Sequence, residues 1–161
     1  MNGILACHRG FRRAVSSLQS PLLLLVRLYW GWQFIQTGSG KIHNITHVTG
    51  YFTELGVPAP HATAIFIAWL EFIGGILLIA GLFSRITSLA LFIDMLIAYI
   101  VGDHAALVSF FSDPGTFYAA APFTFMAASL LILIFGPGLF AFDTLLARMA
   151  PPEPRRRGGR M

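Results

Sequence analysis

Four apolar stretches divide the chain: Leu18 to Gly38, Ala62 to Phe83, Ser84 to Val101, and Phe117 to about Leu139. Each comes close to the roughly 20 residues a helix needs to cross the hydrocarbon of a bilayer. Together they predict an all-α protein, a membrane four-helix bundle occupying residues 18–143. Only Gly81 to Ser84 remains for a turn between the second and third stretches, so those spans form a tight antiparallel hairpin. A longer segment, Ser39 to His61, joins the first two. Within it Ile42, Ile45, Val48, Tyr51 and Phe52 recur near helical spacing, while His43, Asn44, His47 and Glu54 fall mostly elsewhere. That pattern predicts a short amphipathic helix lying on the outer membrane face, ended by Gly56-Val57-Pro58-Ala59-Pro60.

Composition makes lipid the solvent. The 161 residues are 56% hydrophobic and only 11% charged, which a fully solvated globular surface does not tolerate. Charge then sets direction. Arg9, Arg12 and Arg13 precede the first span, Arg85 sits in the hairpin turn, and Arg148, Arg155, Arg156, Arg157 and Arg160 follow the fourth; the opposite loops hold Lys41 with Glu54, Asp103 and Asp113. The positive-inside rule places both termini, residues 1–17 and a basic, disordered tail over 144–161, in the cytoplasm, and the protein in the inner (plasma) membrane as a multi-pass chain. The bilayer is the expected partner and nucleic acid is not, because the tail has no aromatic residue to stack on bases. A single cysteine, Cys7, excludes thiol–disulfide exchange between the chain's own cysteines. The first span is interrupted by Arg27, Trp30 and Gln33 and lacks a small-residue cleavage site, so it is read as a span rather than a signal peptide. Arg12-Arg13 is read as flanking charge.

Three charged residues lie inside the spans. Arg27, Glu71 and Asp94 occupy the first, second and third, and with ~1.5 Å of rise per residue all three fall at a similar depth if each span is centred in the bilayer. A charge there costs about 2.5 kcal/mol or more, so such groups turn toward one another or toward a hydrated cavity. Small residues four positions on (Gly31, Gly75 and Ala98) mark faces where helices approach closely. The expectation is one polar centre of Arg27, Glu71 and Asp94, either an Arg27–Glu71 pair that holds the helices in register or a carboxyl that stores and releases a proton. Gln33 and Gln36 lie on a different face of the first span.

Other chemistry is sparse. His43 and His47 are four apart and would share a helix face, the spacing of a two-histidine metal site, with His61 and His104 on the same side of the membrane. No His-Glu-x-x-His frame accompanies them, and the reading is exposed interfacial histidines with no metal. Haem would need axial ligands at mid-span depth; no histidine is there, although Met95 and Met126 are. Glycine-rich nucleotide motifs are absent.

The chain resembles the DoxX family of small four-helix membrane proteins, which includes the DoxD-type subunits of thiosulfate:quinone oxidoreductase. The resemblance runs from about Leu24 to Asp143. It rests on Arg27, Gly38 to Lys41, Phe52 with Gly56 and Pro58, Glu71 with Gly74-Gly75 and Gly81, Arg85, Gly136-Pro137-Gly138 and Asp143. Leu139 to Phe142 separate the last two, where the family usually has a shorter spacing. The resemblance implies an accessory or quinone-interacting subunit of a membrane redox complex, with no intrinsic cofactor, possible use of quinone, and a second subunit as partner. Lys41, Gln33 and Gln36 are then the candidate quinone or anion contacts, and Tyr29, Trp30, Trp32, Phe34, Trp69 and Phe72 the candidate cavity lining. The competing expectation is a non-enzymatic scaffold or small-solute carrier, whether or not the chain is an enzyme being left open.

Overall fold

A computed structural model describes the backbone of residues 2–149 and the side chains of residues 16–149. Among these residues the chain is entirely helical: α1 Asn2–His43, α2 Ile45–Glu54, α3 Pro60–Ala80, α4 Ser84–Val101, α5 His104–Val108, α6 Pro114–Ala119, α7 Ala121–Phe135 and α8 Phe142–Met149. α3 and α4 are long and apolar enough to cross a membrane. α1, α3, α4 and α7 pack in a ring, with α1 laid closely along α3, α4 along α7, and thinner contacts between the two pairs. Phe34, Leu78, Leu91, Met95 and Ile132 fill the middle. Large apolar side chains such as Leu25, Phe66, Ile86, Ile100 and Ile134 point outward, the reverse of a water-soluble bundle.

Glycine sets the register of α1 against α3. A Cβ on Gly75 would stand 2.5 Å from the Gly31 carbonyl oxygen, and one on Gly38 would fall on the backbone nitrogen of Phe72 and 2.8 Å from the Ala68 oxygen. The two helices therefore touch backbone to backbone at two levels, a contact open only to residues without a side chain. With Gly31 opposite Gly75 and Gly38 opposite Ala68 and Phe72, antiparallel geometry places Arg27 opposite Ile79, not opposite Glu71.

The α3–α4 turn is built from two left-handed residues. Gly81 (φ +70) closes α3, its N–H reaching the Leu78 oxygen at 3.1 Å while the Leu82 N–H reaches Leu77 at 3.0 Å, a Schellman ending. Phe83 (φ +48) follows without the freedom of glycine, and what holds it comes from far along the chain: its N–H and that of Ser84 both donate to the Asp143 carboxylate at 2.8 Å. The Asp143 N–H in turn donates to the Gly81 oxygen at 2.9 Å, so α8 is stitched to the hairpin.

Three elements depart from expectation. The fourth stretch, 117–139, is divided into α6 and α7 by an extended Ala120, because the ring of Pro122 excludes the carbonyl of Tyr118 from a continuous helix. The α7 end is set by Gly136 and Gly138, both at positive φ. Helix α8 occupies residues 142–149, so the first part of the expected disordered tail, 144–149, is ordered; Phe142, Leu145, Leu146 and Met149 form its exposed apolar face. Residues 150–161 lie outside the described residues, and the side chains of Cys7, Arg9, Arg12 and Arg13 outside the described side chains.

Candidate functional site

Arg27 and Glu71, expected to meet, belong to two different clusters. Arg27 is 1% exposed, and its guanidinium is spent on backbone. Nε donates to the Leu78 oxygen at 2.8 Å and Nη2 to the Ile79 oxygen at 2.9 Å, while Nη1 reaches the Pro137 oxygen at 2.8 Å and the Phe140 oxygen at 3.0 Å. The first two are carbonyls of the last turn of α3, at the negative end of the helix dipole; Leu78 accepts from the Gly81 N–H as well. The others belong to the loop between α7 and α8. Only a planar fork with five donors reaches all four at once. Arg27 is thus a clamp joining α1, α3 and the α7–α8 loop.

Asp143 completes this clamp from the other side. Burial works to raise its pKa, but the N–H groups of Ser84 and Phe83 and the nearby Arg27 charge outweigh that and hold it below the ordinary carboxylate value. A group with a depressed folded-state pKa contributes stability above its unfolded value of about 4 and loses it as pH falls through the folded one. Replacing Asp143 with Ala removes the cap of α4 and should cost about 1–2 kcal/mol at neutral pH. Thermal unfolding in detergent should show the wild type losing stability between pH 5 and 3 while Asp143→Ala loses distinctly less; equal losses would mean that other carboxylates carry the acid sensitivity.

The second cluster lies at the opposite end, beneath α2. Lys41, near the end of α1, donates to Glu71 Oε1 at 2.5 Å, with Glu71 1% exposed and the lysine side chain 29% exposed. Asp94, 6% exposed, comes from α4 and lines the same cavity as Lys41 and Glu71. The second oxygens of both acids, Glu71 Oε2 and Asp94 Oδ2, are buried without a hydrogen-bond partner. These three residues form the polar floor of a cavity of about 460 Å³ whose walls are mainly apolar, among them Ile67, Met95, Ile97 and Val101. Helix α2 roofs it with Val48, Tyr51 and Phe52, and a Cβ on Gly102 would come 3.1 Å from the Tyr51 hydroxyl, so the roof rests on the end of α4.

Of the expected centre, then, the structure brings together Glu71 and Asp94 and replaces Arg27 by Lys41. Arg27 stands seven to eight residues along α3 from Glu71, about 11 Å at helical rise, because the glycine contacts, not equal depth, align the helices. Among the candidate quinone contacts only Lys41 lines the cavity. Gln33 accompanies the Tyr29 hydroxyl at 3.3 Å, and Gln36 is exposed. The expected aromatic lining is placed elsewhere: Phe34 lies in the core, Trp30 packs on Phe125, and Trp32 and Trp69 face outward. His43 and His47 do not share a helix, since α1 ends at His43 and α2 starts after Asn44. His43 Nδ1 pairs with the Ser39 carbonyl at 2.8 Å and His61 Nδ1 lies 3.3 Å from the Thr49 hydroxyl. Among the described residues no three His, Cys, Asp or Glu side chains converge as a metal site. Sequence reasoning missed Tyr51 as a roof and Asp143 as a cap; the apolar face of α2 was the only signal for the former.

An outward-facing apolar surface, two membrane-length helices and charges kept to the interior and ends define a helical membrane protein. The DoxX family model matches residues 22–105, and an uncharacterised membrane protein of Mycobacterium tuberculosis (strain ATCC 25618 / H37Rv) is 30% identical over 142 residues, covering 81% of this chain and 84% of that protein. The chain belongs to the DoxX family. No solved structure matches it at a significant level.

Proposed function

We propose that this chain is a quinone-binding accessory subunit of a membrane redox complex. It would be carried by α1, α3, α4 and α7 as four spans of the inner (plasma) membrane, with both termini cytoplasmic. The observation that carries the reading is the cavity under α2: apolar walls that suit a prenylated ring, ending in Lys41, Glu71 and Asp94. Its size lies in the range of small-molecule sites, and a few convergent polar groups in an apolar pocket are what such sites need. Arg85 and Arg148 lie toward the end held by the Arg27 clamp, and Lys41, Glu54 and Asp103 toward the cavity end, in keeping with a cytoplasmic clamp and an outward-facing cavity.

Quinone, when bound, supplies reversible two-electron, two-proton chemistry. Lys41 uses one N–H on Glu71 and has others for a ring oxygen. Glu71 and Asp94 offer carboxylate oxygens that accept from a ring hydroxyl. The Tyr51 and Phe52 roof keeps water away from the ring. Electrons come from a second subunit that carries a redox cofactor.

A photoreactive quinone analogue should label α2, α3 or α4 around the cavity in the isolated complex, with native quinone protecting. Glu71→Gln should weaken labelling severalfold and lower quinone reduction by the complex supplied with thiosulfate or sulfide. Labelling that quinone does not compete away sinks the reading. A Glu71→Gln protein altered only in thermal stability favours the alternative, a scaffold or small-solute carrier in which the buried charges serve helix association or passage.

A further inference from the structure

The polarity of the cavity floor bears on which redox form it holds. Glu71 Oε1 is already engaged by Lys41, while Glu71 Oε2 and Asp94 Oδ2 are buried without partners on residues 1% and 6% exposed that both line the cavity. A carboxylate oxygen only accepts hydrogen bonds. Beyond the Lys41 ammonium the floor has no donor; the other donors along the cavity, His47, Tyr51 and Thr63, belong to α2 and the first turn of α3. A quinone brings no donor, since both of its ring oxygens accept. A quinol brings an O–H that donates to a carboxylate oxygen while the same oxygen accepts from Lys41.

Resting on the quinone reading above, we propose that the site is selective for the reduced form, holding an aromatic diol by a hydroxyl that donates to Glu71 or Asp94 and accepts from Lys41. Quinone in the same place still accepts from Lys41 but leaves the carboxylate oxygen beside it without a donor. A charge-assisted hydrogen bond made by one form and denied to the other corresponds to roughly a ten- to hundredfold preference. Selectivity of that size raises the reduction potential of the bound couple by about 30–60 mV. The cavity then favours retention of quinol over quinone, a bias that a site built from amide or hydroxyl donors would reverse.

The test uses the full chain in nanodiscs of neutral lipid, titrated anaerobically by calorimetry with decylubiquinone and, separately, with decylubiquinol. Quinol binding at least tenfold tighter supports the proposal. Equal binding, or tighter quinone binding, overturns it and leaves the quinone-site reading intact. Binding of neither form overturns that reading itself. Asp94→Asn, which puts an amide donor in place of an acceptor at constant shape, should bring the ratio toward one by improving quinone binding; an unchanged ratio in both Asp94→Asn and Glu71→Gln removes the acids from the mechanism. The wild-type ratio decides the question even if a variant fails to fold.

Discussion

Arg27→Ala should be among the most damaging single changes to this protein, costing about 3–5 kcal/mol, the range for stripping one partner from a buried charged network. The loss is large because four carbonyls lose the guanidinium together: Leu78, which keeps only the Gly81 N–H, and Ile79 at the end of α3, and Pro137 and Phe140 in the α7–α8 loop. A Cβ on Gly81 would overlap the guanidinium, so the space is shaped for this side chain. Arg27→Lys keeps the charge but replaces a rigid fork by a point charge with three donors, and should recover less than half the loss. Thermal unfolding of the purified proteins by circular dichroism in detergent checks both. If Arg27→Lys matches the wild type, charge alone suffices and the clamp geometry described above is unimportant. Quinone-analogue labelling per folded molecule should hardly change, since the clamp and the cavity lie at opposite ends of the bundle.

Gly38→Val should be comparably severe and should also destroy the site. The new Cβ meets the backbone of Phe72 and Ala68, which cannot rotate aside as a flexible side chain would. α1 must therefore separate from α3 just one turn before Lys41. Overpacking of this kind costs about 1–3 kcal/mol and more where backbone is struck, and the displacement pulls Lys41 from Glu71, leaving a nearly fully buried carboxylate without its cation. The expected result is low yield of folded protein and, in whatever folds, loss of quinone-analogue labelling. Gly40→Ala, where a Cβ meets nothing within 4 Å, is the matched control and should leave both unchanged. A Gly38→Val protein that unfolds and labels like wild type would show that close α1–α3 contact does not position the lysine.

Most residues through which the chain resembles its family sort into these two places, with Gly74-Gly75 between them against Gly31 and Leu91. Arg27, Gly81, Gly136-Pro137-Gly138 and Asp143 gather at the clamp end, where their work is on backbone groups. Lys41 and Glu71 gather under α2 with Asp94. That division was invisible in the sequence. Equal spacing from span midpoints put Arg27 and Glu71 level, an assumption that fails once α1 extends as one helix from Asn2 to His43 and slides along α3 to the position its glycines allow.

Apolar periodicity alone determined much: an all-helical membrane protein, the α3–α4 hairpin, and an amphipathic helix within Ser39 to His61, which the structure has as Ile45–Glu54. These follow from local rules, because lipid requires every backbone polar group in a crossing segment to be satisfied within its own helix. The burial cost of charge also marked Arg27, Glu71 and Asp94 as inward-facing, and all three are buried. Their partners were decided only in the tertiary structure. Helical phase says which way a residue faces, whereas the axial offset between helices depends on where two backbones can touch, here Gly31 on Gly75 and Gly38 on Ala68 and Phe72. That offset gives Arg27 to the carbonyls at the end of α3 and Glu71 to Lys41, and so divides one expected polar centre into a structural clamp and a cavity floor.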